Sequence, residues 1–88
     1  MTTPETRQAE RLARKCYPIF AGVDPAVQGA ALVDLVSRHI AGHVVQGDEE
    51  ATGQMRAMLL EAFVHAVKQL IPVADAEVIQ PELKRRRH

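Results

Sequence analysis

Tryptophan and asparagine are absent from this 88-residue chain, and serine, tyrosine and cysteine occur once each. With two phenylalanines and one tyrosine, aromatic packing cannot dominate. Any core must be built from Leu, Val, Ile, Ala and Met. The lack of Asn and near-lack of Ser remove common turn formers, while Ala is abundant, so the composition favours helix. A lone cysteine, Cys16, excludes an intramolecular disulfide and suits a reducing compartment. The five glycines, Gly22, Gly29, Gly42, Gly47 and Gly53, are isolated, so no glycine-rich loop cradles a phosphate. One Ser and scattered His residues provide no Ser-His-Asp or Cys-His-Asn arrangement, and a non-catalytic protein is expected. The polar start MTTPETRQAER has no apolar h-region, and no uninterrupted apolar run approaches the roughly 20 residues of a membrane span. A cytoplasmic protein with no membrane association and no cofactor is expected.

Formal charge sums to zero but is unevenly placed. Residues 1–17 carry a net +2, residues 18–82 a net −6 and residues 83–88 a net +4. Basic ends therefore flank an acidic body. A chain this short buries only about 60–65% of the surface it exposes unfolded, which leaves a monomer marginally stable.

The periodicity predicts an all-α fold of three helices. The first spans about residues 4–17, with Thr3 as N-cap and Pro4 in the first helical position; Pro18 either stops it at Tyr17 or kinks it and lets it continue to Ala21, with Gly22 as the stop. The cluster Tyr17, Ile19 and Phe20 is expected to plug one end of the core. The second helix spans about 24–45, opened by Asp24 and Pro25, with Leu32, Leu35, Val36, Ile40 and Val44 on its buried side. Gly29 lies on that side and suggests a close backbone approach. Gln46-Gly47 is a two-residue break before a third helix over about 48–71, capped by Asp48. So short a link predicts an antiparallel hairpin of helices two and three. Pro72 should end the third helix, leaving an extended C-terminal arm. Residues 1–81 would form one helical domain, and 82–88 a basic, mobile tail.

The third helix carries the strongest signal. Met55, Leu59, Ala62, Phe63, Ala66 and Leu70 form one stripe on the helical wheel, and Leu60, Val64, Val67 and Ile71 form a second beside it. Together they span roughly 200° at about 100° per residue, twice the stripe of an ordinary surface helix. Two companion helices from the same chain are too few to cover both. Leu60, Val64, Val67 and Ile71 are therefore the expected interface of a homodimer, and a small interaction or regulatory module, with a possible further protein partner, is the expected function.

Two alternatives rest on other residues. His39 and His43, spaced i, i+4, share one side of the second helix and make half of a metal site. Ile40 stands where a metalloprotease helix has its Glu, which excludes that hydrolytic chemistry; other ligands would have to come from Cys16, His65, the acids at 48–50 or a second chain. The same pair would serve a pH-responsive interface. The basic run Lys84, Arg85, Arg86 and Arg87 offers loose contact to nucleic acid or an acidic partner. It has no aromatic or base-reading residue, so nucleic-acid recognition is not expected.

Overall fold

The computed structural model describes residues 2–87 and is all-α, with no strand among the described residues. Helix α1 spans Pro4–Phe20, α2 Pro25–Ala41, α3 Glu49–Ala74 and α4 Gln80–Arg86, with a π-helical turn, Asp75–Ile79, joining the last two. Met1 and His88, the outer ends of the expected domain and tail, lie outside the described residues. Contacts divide the chain into two units, Met1–Ser37 and Arg38–His88, with the division inside α2.

In the first unit, the Thr3 hydroxyl accepts the Thr6 N–H at 3.1 Å and caps α1, followed by Pro4 and Glu5 as the dipole favours. Pro18 does not stop the helix. It has no N–H for the carbonyl one turn back, yet α1 runs on to Phe20, three residues beyond Tyr17. The stop comes at Ala21-Gly22, where Gly22 takes a φ of 76° that L side chains resist. The Gln28 side-chain amide donates to the Phe20 and Val23 carbonyls, both at 2.8 Å, and so ties the end of α1 to the start of α2. Asp24 caps α2 by accepting the Ala26 N–H at 2.8 Å.

In the second unit, α2 ends at Ala41, short of the expected Val45, and residues 42–48 form the link. Two side chains of α3 account for the early stop. The Arg56 guanidinium donates to the Ala41 carbonyl at 2.6 Å and the His43 carbonyl at 3.2 Å, taking acceptors that an extended α2 would use itself. The Thr52 hydroxyl accepts the Val45 N–H at 2.9 Å and donates to the Asp48 carbonyl at 2.8 Å, with the Val45 carbonyl 3.2 Å away. Gly47 turns the link with a φ of 76°, and Asp48 caps α3 through the Ala51 N–H at 2.9 Å. The two-residue break is thus a seven-residue connection.

Pro72 does not end α3. The helix passes through it to Ala74, and the Asp75 N–H bonds back to the Ile71 and Pro72 carbonyls. The π turn then lies just before Pro81. A proline ring crowds the carbonyl four residues earlier, and a turn widened by one residue relieves that crowding. The Gln80 amide spans the turn to both Asp75 carboxylate oxygens at 3.3 Å. The expected extended arm is therefore corrected: Glu49–Arg86 is one helical stretch of 38 residues.

The packed core expected within one chain is also corrected. Among the described residues no hydrophobic side chain is buried, and the one buried side chain is Thr52, 8% exposed. Leu32 and Leu35, assigned to a buried face, are exposed, as are Tyr17 and Ile19 of the supposed plug. No atom outside its own helical turn lies within 4 Å of a Cβ built at Gly29, so no close backbone approach explains that glycine.

Three substitutions test these joints. Arg56→Ala should lower stability by about 1.5–3 kcal/mol, the worth of hydrogen bonds from a charged donor, in urea unfolding at fixed protein concentration. Gly47→Ala should destabilise by about 1–2 kcal/mol because of its left-handed backbone, whereas Gly29→Ala, in an open helical position, should stabilise by up to about 1 kcal/mol.

Candidate functional site

Leu60, Val64, Val67 and Ile71 occur at spacings of four, three and four residues along α3, which keeps them in one line along the helix. All four are exposed, between 41% and 61%. Phe63 and Leu70 are exposed beside them, while Met55 and Leu59 of the first stripe are half-buried. The doubled stripe is thus real as surface, and most of it is uncovered.

His39 and His43 are brought together as their spacing implies. Their rings meet edge to face with centroids 5.1 Å apart, and His43 Nδ1 lies 2.9 Å from the His39 carbonyl. Among the described residues no three His, Cys, Asp or Glu side chains are grouped to hold a metal.

Lys84, Arg85 and Arg86 fall in the last turn of α4, and Arg87 follows it as C-cap. Arg85 and Arg86 both pair with Glu82 on the same helix, Arg86 at 3.4 Å, and both remain at least three-quarters exposed. Solvated pairs of this kind contribute little to stability and leave the guanidinium groups open to a further carboxylate.

Sequence reasoning missed the groove of the first unit. Cys16, Ile19, Phe20, Val23, Val27 and Leu35 line an apolar concavity of about 430 Å³. The signal was present as Val23, Val27 and Ala31 at i, i+4, i+8, obscured because the sequence left open whether α1 continued past Tyr17. It also missed the length of the apolar helix. Glu49–Arg86 is long and apolar enough to cross a membrane by length and composition, with an 18-residue window of mean hydropathy 1.4, none of it buried.

Comparison with models of known families, with curated proteins and with solved structures finds no match.

With two imidazoles and no third ligand grouped with them among the described residues, zinc should leave the melting temperature of tag-free protein unchanged. A zinc-dependent rise that His39→Ala abolishes would contradict this and assign a metal site completed by another chain.

Proposed function

We propose that this chain is a small helical protein–protein interaction module that works as a homodimer and is not an enzyme. The observation that carries the reading is the line Leu60, Val64, Val67 and Ile71, exposed on a helix whose chain buries no hydrophobic side chain among the described residues. Burying an exposed aliphatic side chain of this size stabilises by about 1.5–3 kcal/mol. A two-fold pairing buries each of the four twice, and no other source of comparable size is evident in one chain. Obligate dimers often have no stable folded monomer, and this surface belongs with that behaviour.

A bilayer is a poorer match to the same helix. Glu61, His65, Lys68 and Gln69 interrupt its apolar stretch. An acid or lysine at the centre of a span costs about 2.5–3.5 kcal/mol. The dimer reading leaves Glu61 and Lys68 at the margin of the contact and His65 and Gln69 facing away from it. A cytoplasmic location goes with it, since an exposed free thiol at Cys16 suits a reducing compartment.

Size-exclusion chromatography with light scattering at tens of micromolar tests the proposal. It should report twice 9.7 kDa, and a strict monomer would contradict it. Leu60→Glu removes one apolar side chain and introduces one carboxylate per copy. It should weaken dimerisation by at least about 100-fold, since each 1.4 kcal/mol is a factor of ten.

A further inference from the structure

We infer that the second copy lies antiparallel along the helix Glu49–Arg86, pairing the acidic start of one helix with the basic end of the other. The inference rests on the homodimer reading and adds its geometry. Three observations carry it.

The first is the seam itself. Spacings of four, three and four are those of a coiled-coil seam, in which alternate positions meet the facing helix. Read in either direction, the seam has a large residue at each end and two valines between: Leu60, Val64, Val67, Ile71. Antiparallel pairing about a two-fold axis sets Leu60 against Ile71 of the second copy and Val64 against Val67. Every layer then has its symmetry mate, as an isologous contact requires.

The second is the edge of the seam. Glu61 and Lys68 each follow a seam residue by one position, so they lie on the same edge, and both are exposed. Antiparallel pairing brings Glu61 to Lys68 of the second copy, and symmetry makes that pair twice. Parallel pairing would instead put Glu61 by Arg56 and Lys68 by Phe63. Arg56 is already committed to the Ala41 and His43 carbonyls.

The third is the charge at the two ends. Asp48, Glu49 and Glu50 open α3, and Lys84, Arg85, Arg86 and Arg87 close the same helical stretch. With Val64 facing Val67, the register continues until the acidic turn of one copy lies within about one turn of the basic turn of the other, counting the extra residue of the π turn. Arg85 and Arg86 remain accessible despite Glu82, being 78% and 75% exposed. A parallel, in-register pair would place acids on acids and bases on bases, and like charges across a contact select against it.

The test is a distance. Gln54→Cys in a Cys16→Ser background, spin-labelled at the introduced thiol, is measured by pulsed electron resonance and, in the same sample, by light scattering. Gln54 is exposed, so the label should be tolerated. Antiparallel pairing predicts a dimer with labels roughly 35 Å apart, from the rise of 1.5 Å per residue on both sides of the two-fold. A dimer with labels within about 15 Å, the reach of two neighbouring helices in parallel register, would overturn the antiparallel arrangement and leave the dimer standing. A monomer would remove the dimer reading and this inference with it. A monomer that partitions into phosphatidylcholine vesicles would assign the face to lipid and overturn both.

Discussion

The constraint on which the structure depends is that one copy of this chain buries a threonine and, among the described residues, no hydrophobic side chain. Apolar burial is the dominant favourable term in folding, and conformational entropy opposes it on the same scale. Most helical stability in proteins comes from packing an amphipathic face rather than from propensity. The helices of this chain therefore need a surface to pack on, and the chain itself offers little. Their caps, from Thr3, Asp24 and Asp48, fix where they begin but do not replace that surface.

Local polar chemistry does what can be done within one chain. Gln28 ties α1 to α2 by two carbonyls, and Arg56 and Thr52 tie α3 to the link that follows α2. Both ties use a side chain in the first turns of a helix to satisfy backbone groups at the end of the preceding one, groups that helix geometry leaves without partners. The two corners are thus held by hydrogen bonds while the helix faces stay open. An arrangement with defined corners and uncovered faces is what a second copy can complete without rebuilding either joint. The helix Glu49–Arg86 has such a face, with acids in its first turn and bases in its last.

The sequence was informative where a short-range rule decides the outcome. The caps at Thr3, Asp24 and Asp48 and the doubled stripe of α3 all followed from spacing and residue type. It misled where two local rules competed. Pro72 read as a stop and Pro18 as a stop or a kink, but a proline removes one hydrogen bond, and the remaining turns on either side carried each helix through. Residues 42–45 read as helix because Val44 continues the stripe. What they lacked was visible only in space: Arg56 and Thr52, later in sequence, claim their backbone groups. The acids at 48–50 and the bases at 84–87 were legible as separate clusters, but their shared helix was hidden by the expected break at Pro72. The shared line of Leu60, Val64, Val67 and Ile71 along α3 was legible from spacing, while the groove around Phe20 and Val27 was not, because it depends on α1 extending past Pro18.

The central claim is that folding and assembly of this chain are one event. The most direct measurement is the melting temperature by circular dichroism across a hundredfold range of protein concentration. If a second copy covers the open faces, the midpoint rises steadily with concentration, as mass action requires when only the associated state is folded. A midpoint that does not move across that range would show that the single chain folds alone, and would contradict the account.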